Sequence, residues 1–168
     1  MISHQALVHL KLDEVWWLVS PQNPLKPAND MASQADRIKW AQGLARHPLI
    51  RVTNVEGALG TQYTSDTLMA LTARCPDTHF VWLMGADNLI QLPKWHNWQD
   101  IIATVPIAVF GRPAYSLQAM TSHVAFRYAK YRLGAQQAGR LATAAPPAWT
   151  FIHYRHDPLS ATLIRQSR

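Results

Sequence analysis

The sequence predicts a doubly wound α/β fold with a parallel sheet, and three observations carry that reading. Segments with apolar residues at helical spacing alternate with short, almost wholly apolar runs, the pattern of strands covered by helices on both faces. The runs give way to prolines, glycines or polar turn residues that cannot prolong a strand. The chain has 168 residues, 48% of them hydrophobic, with no internal repeat, which is enough for one domain with a substantial core.

Taken in order, residues 2 to 12 form a helix with Ala6, Leu7 and Leu10 on one side, feeding a strand over Glu14 to Val19. Ser20 to Pro27 carries three prolines and reads as a loop leaving that strand. A helix follows over 33 to 47, with Ala35, Ile38, Ala41, Leu44 and Ala45 as its apolar face, then a strand over Leu49 to Thr53. Hydroxyl residues between Thr61 and Thr67 cap a helix whose face is Leu68, Leu71 and Cys75. His79 to Met84 is the plainest strand, ending in a turn at Gly85-Ala86-Asp87-Asn88. A helix over about 99 to 104 and a strand over Pro106 to Phe110 come next, the latter closed by Gly111-Arg112-Pro113. Leu117, Met120, Val124, Tyr128 and Tyr131 space out as one amphipathic helix, and 142 to 147 is a loop. Trp149 to Tyr154 is the last strand, leading through Pro158 to Ser160, a helix N-cap, and to Arg165.

Composition excludes several classes. The single cysteine, Cys75, rules out an internal disulfide and a cysteine-built metal centre, and suits a reducing cytoplasm. The densest apolar run, Val15 to Val19, is far too short to cross a bilayer. His4 and His9 are five residues apart and share no helical face, and the other histidines show no metal-ligand spacing. The net charge of +6 is concentrated late, because Asp157 is the only acid from Arg112 onward. A concave site for a polyanionic small molecule accounts for that asymmetry. A nucleic-acid surface is the weaker account, since basic runs with interleaved aromatics are missing.

In doubly wound sheets ligands bind beyond the carboxyl ends of the strands. Lys26, Thr64, Asp87, Trp95, Arg112 and the stretch Ser160 to Arg165 all follow strands, directly or after the loop, so they can converge on one edge. At 160 to 165 the free N–H groups of a helix start, the hydroxyls of Ser160 and Thr162 and the guanidinium of Arg165 make a phosphate-binding constellation. The glycine-rich dinucleotide fingerprint and the Gly-Lys-Ser/Thr phosphate loop are both absent.

These stretches, in this order, resemble the bacterial nicotinate-mononucleotide adenylyltransferases, nucleotidyltransferases of Rossmann-like fold. The likeness rests on Leu12 to Pro21 with Asn23-Pro24-Leu25-Lys26, Tyr63 to Leu68, Gly85-Ala86-Asp87 with Trp95, Gly111-Arg112-Pro113, and Ser160 to Arg165. It implies transfer of the adenylyl group of ATP, taken up with Mg²⁺, to nicotinate mononucleotide, yielding nicotinate adenine dinucleotide and pyrophosphate in NAD synthesis. It implies further that Ser160, Thr162 and Arg165 hold ATP phosphates and carry catalysis, that Thr64 and Trp95 form the nicotinate pocket, that Asp87 holds ribose hydroxyls, and that Lys26 and Arg112 assist in substrate binding. On residue type alone, Trp95 can equally be core filler, Asp87 a turn cap and Lys26 a solvated lysine.

One departure matters. The family's first strand, followed by Gly-x-Phe-x-Pro-x-His-x-Gly-His, has no counterpart here, and Met1 falls just after where it would end. In the family that strand is central. Its lack should leave unpaired backbone groups and an unfilled slot in the sheet, with weak or absent activity in the chain as written. The alternatives are a noncatalytic nucleotide-binding remnant and, less favoured, a basic nucleic-acid-binding domain.

Overall fold

A computed structural model describes residues 2–21 and 32–153. In chain order the elements are α1 (Ile2–Leu10), β1 (Val15–Leu18), α2 (Gln34–Leu44), β2 (Ile50–Thr53), α3 (Val55–Leu59), α4 (Thr64–Arg74), β3 (Trp82–Gly85), α5 (Ala86–Gln91), α6 (Trp98–Thr104), β4 (Ile107–Phe110), α7 (Ser116–Met120), α8 (His123–Arg127), β5 (Arg132–Leu133) and β6 (Trp149–Ile152). Turns of 3-10 helix fill Leu92–Lys94, Ala129–Tyr131 and Ala135–Thr143.

Every strand pairing is parallel, as the sequence predicts, but the strands fall into two sheets. β1 pairs with β2, Val15 opposite Ile50 and Leu18 opposite Thr53. β3, β4, β6 and β5 lie side by side in that order, and their register aligns the ends of three strands, Gly85 with Phe110 and Phe110 with Ile152. Between β1 and the stretch leading into β3 runs a cleft of about 770 Å³, lined by residues 10–18 and 77–83.

Two apolar cores hold the elements. One gathers Leu68, Met84, Leu89, Leu92, Ile101, Ile107, Val109, Val124 and Phe151. The other reaches across both sheets, joining Leu7, Leu10, Val15 and Ile50 to Ala108, Phe110, Leu141 and Ile152. Side chains therefore tie the two sheets together where backbone hydrogen bonds do not.

The structure departs from the sequence expectations at five elements and adds one. The strand expected over 79–84 is regular only at 82–85, because β4 begins at Ile107, opposite Trp82, and leaves 79–81 with no strand residue to pair with. Gly85 to Asn88 is not a turn: Gly85 is the N-cap of α5, with Asp87 in its first turn, where a carboxylate is favoured by the helix dipole. The single helix expected across 117–131 is two, because Ser122 starts a new one, its Oγ accepting from the Ala125 N–H at 3.3 Å. The helix expected over 33–47 forms over Gln34–Leu44 but buries no residue, and the loop expected over 142–147 begins as 3-10 turn. A short helix at Val55–Leu59, which the sequence did not announce, caps β2.

Candidate active site

The aligned strand ends place the first pair of expected site residues. Asp87 lies two residues past the end of β3 and Arg112 two past the end of β4, in neighbouring parallel strands. Their side chains meet, Arg112 Nη1 donating to Asp87 Oδ2 at 3.5 Å, with both partly open to solvent. A long, half-exposed contact of this kind adds little to stability. Its use is geometric, holding a carboxylate and a guanidinium side by side at the strand ends.

The backbone beneath is built for that pair. A Cβ on Gly85 would stand 2.5 Å from Asp87 Oδ1 and 3.4 Å from Arg112 Nε, so only glycine leaves room for the carboxylate to fold back over the strand end. Gly111 is similarly confined, since a Cβ there would lie 3.0 Å from Ser116 Oγ and 3.2 Å from the Phe151 ring. Asp87 Oδ1 is buried and has no hydrogen-bond partner among the described residues. A carboxylate oxygen so placed is suited to receive a hydroxyl from a bound molecule.

Two more of the expected residues are Thr64 and Trp95. Thr64 is the first residue of α4, half-buried, and follows Tyr63, whose side chain makes no capping bond. Trp95 ends the 3-10 turn after α5, its N–H bonded to the Leu92 carbonyl at 2.9 Å. Its indole packs partly on the core while remaining half-buried, so the packing and the pocket readings of this residue are compatible. The sequence neighbours of Thr64 and Trp95 meet: the Tyr63 and His96 rings stack with centroids 4.2 Å apart and planes 27° from parallel. Asn97 then takes a left-handed backbone, φ 45°, which turns the chain from this segment into α6.

No hydrogen bond or ring contact joins the two pairs among the described residues. Lys26, Ser160, Thr162 and Arg165 lie outside the described residues. The large cleft is elsewhere, and none of Thr64, Asp87, Trp95 or Arg112 lines it.

With this arrangement in view, residues 1–167 match the cytidylyltransferase-like family. The chain belongs to that family. Among its members, a probable nicotinate-nucleotide adenylyltransferase of Cereibacter sphaeroides (strain ATCC 17025) is 50% identical over 164 residues, 98% of this chain and 86% of the relative. One of the same name from Parvibaculum lavamentivorans is 50% identical over 98% of this chain and 82% of its own length. A third, from Rhizobium meliloti, is 44% identical over the full 168 residues, 89% of its length. A solved structure of Plasmodium falciparum nicotinic acid mononucleotide adenylyltransferase complexed with APC superposes with a TM-score of 0.67 at 11% identity, covering 99% of this chain and 74% of that one. The last likeness speaks to the fold, and agrees with the parallel α/β cytidylyltransferase-like architecture described above.

Sequence reasoning missed two contributors to the site. In the sequence Gly85 reads as a turn residue, whereas in the structure it makes room for the carboxylate of Asp87. His96 shows no metal-ligand spacing in the sequence, yet it stacks on Tyr63, a contact across 33 positions that no local pattern announces. Among the described residues no group of three His, Cys, Asp or Glu side chains is placed to hold a metal ion. No helix among them is long and apolar enough to cross a membrane.

Proposed function

We propose that this chain is a nicotinate-nucleotide adenylyltransferase acting in NAD synthesis in the cytoplasm, as a single domain, with ATP and nicotinate mononucleotide as substrates. The observation that carries the reading is the extent of the likeness: relatives of that name match at 44–50% identity along essentially the whole chain. The Asp87–Arg112 pair at the aligned strand ends fits the same reading, as do Thr64 at the start of α4 and the half-buried Trp95. The second core, which joins the two sheets, supports treating the chain as one domain.

In the reaction a 5′-phosphate oxygen of nicotinate mononucleotide attacks the α-phosphorus of ATP, the bond from that phosphorus to the bridging oxygen breaks, and pyrophosphate leaves. The nucleophile is already an anion, so no protein group need deprotonate it. The protein's part is alignment and compensation of charge. In our reading Trp95 stacks on the pyridine ring and the Thr64 hydroxyl bonds its carboxylate. Asp87 accepts from ribose hydroxyls through its unpartnered Oδ1, steadied by Arg112. Lys26 assists with substrate phosphate, while Ser160, Thr162 and Arg165 hold the phosphates of ATP. Mg²⁺ enters with ATP on those phosphates, as part of the substrate.

The open cleft between β1 and β3 supports a second reading for the 168-residue chain, a nucleotide binder with weak turnover, because an interrupted sheet holds its strand ends less rigidly. Calorimetric titration and a pyrophosphate-release assay separate the two. Nicotinate mononucleotide should bind more tightly than nicotinamide mononucleotide, and Trp95→Ala should weaken it by about tenfold or more, roughly 1.4 kcal/mol. Turnover on the order of 1 per second or faster would exclude the binder, whereas equal affinity for acid and amide would count against the proposed Thr64 contact.

A further inference from the structure

We propose that the groove between α7, α8 and the start of β6 docks an acidic peptide segment of a partner protein, anchored by an apolar side chain. This inference goes beyond the reaction proposed above and does not depend on it.

Met120, Ala125, Phe126, Ala129, Arg132 and Trp149 line a groove of about 380 Å³. Arg132 opens β5 and Trp149 opens β6, side by side in a parallel pair. The groove thus lies toward the amino ends of the strands, whereas Asp87 and Arg112 follow their carboxyl ends. Its rim is apolar and uncovered: Phe126 is 85% exposed, and Leu117, one turn before the lining residue Thr121, is 81% exposed. Large apolar side chains left open beside a groove mark a contact surface.

The charge around the groove has one sign. From Arg112 to His153 the chain has no acidic residue, and Arg127, Lys130 and Arg132 are all exposed. Among the described residues the ion pairs are Arg51–Glu14 and Arg112–Asp87, so these three cations have no carboxylate partner there. Each sits over a ring instead. Arg127 lies 5.9 Å from the Tyr128 centroid, Lys130 4.8 Å from that of Tyr131 and Arg132 5.5 Å from that of Trp149. Such seating restricts their rotamers in advance and lowers the ordering cost of docking.

Charge and shape together select the occupant. A run of carboxylates complements the three cations, and an apolar side chain fills the groove between Phe126 and Trp149. Nucleic acid fits less well, because strand binding uses open aromatic faces, and Tyr128, Tyr131 and Trp149 are half-buried or buried with a cation on each. A second copy of the chain is a poorer fit, since its longest acidic run is Asp13-Glu14 and Glu14 is already paired with Arg51. Residues 154–168, which lie outside the described residues, carry three arginines to one aspartate and so have the wrong sign of charge.

The experiment follows the fluorescence polarisation of a fluorescein-labelled peptide, Gly-Glu-Asp-Phe-Leu-Glu-Asp-Glu-amide, titrated with the full 168-residue chain. Arg132→Glu should weaken binding by about tenfold or more, and Phe126→Ala by about fivefold or more. Both side chains are exposed, so each variant should keep the circular dichroism spectrum and Tm of the parent. Arg132→Gln, which keeps a long side chain against Trp149, should change binding in the same direction. Arg74→Glu, the same charge reversal at an exposed position on α4, should alter affinity by less than about twofold. A peptide with serine for its Phe and Leu should not bind. Equal losses for Arg74→Glu and Arg132→Glu would reduce the effect to net charge and overturn the proposal. So would no binding up to about 1 mM chain, or equal binding of the serine peptide. Tighter binding of an oligothymidylate, lost in both groove variants, would assign the face to nucleic acid instead, and self-association abolished by Phe126→Ala would assign it to a second copy; either result overturns the proposal.

Discussion

The two sheets of this molecule are made from similar sequence and end in different states. Val-Trp-Trp-Leu of β1 and Ile-Arg-Val-Thr of β2 bury only their first residues, whereas all residues of β4 and β6 are buried. The difference is one of neighbours. β4 and β6 have a strand on each side, while β2 is covered by an α2 that buries none of its residues and β1 faces the cleft. Burial of a strand is thus a property of its position in the layer more than of its own hydrophobicity. The two-stranded half compensates with polar ties. Glu14 accepts from the Trp16 indole at 2.5 Å and pairs with Arg51 at 2.6 Å, and Ser20 donates to the buried carboxylate of Glu56.

That contrast can be broken or sharpened by four substitutions, followed by urea denaturation. Phe151→Ala in β6 removes a fully buried ring and should cost about 3–5 kcal/mol; a loss below about 2 would mean that the four-stranded half is as loosely built as the other. Ser20→Ala leaves the buried Glu56 carboxylate short of a donor, and should cost about 1–3 kcal/mol, the largest polar effect in the two-stranded half. Ser122→Ala removes the cap that starts α8, with an expected loss of about 1 kcal/mol. Leu44→Ala on α2, a side chain half exposed, should change stability by no more than about 0.5 kcal/mol. A larger effect there would show that α2 packs on something more than β2.

The order of helices and strands was legible because it rests on local periodicity, and the parallel class followed from the alternation. What the residues could not show locally was pairing. Phe80-Val81 has strand composition, yet it stays irregular because β4 begins only opposite Trp82. Asp87 sits in a Gly-Ala-Asp-Asn stretch that reads as a turn, and becomes helical because the chain must leave a buried strand and cover it. The candidate site is an expectation from residue types after strands. Its internal geometry was not legible, since the Asp87–Arg112 contact and the Tyr63–His96 stack depend on distant parts of the chain meeting. The apolar spacing of α2 was a true helix signal and a poor burial signal, because periodicity orients a face without supplying a surface to receive it.

The shared row formed by Gly85, Phe110 and Ile152 has an engineering consequence. With strands about 4.8 Å apart, the three chain exits span roughly 10 Å, and the register is set by bonds among β3, β4 and β6 alone. The stretch from α7 to the start of the 3-10 segment Ala135–Thr143 contributes none of those bonds, so foreign sequence spliced at the exposed Gln136 should leave Asp87 and Arg112 in place. A reporter peptide or affinity tag could be carried there, inside the chain, with both termini left unaltered.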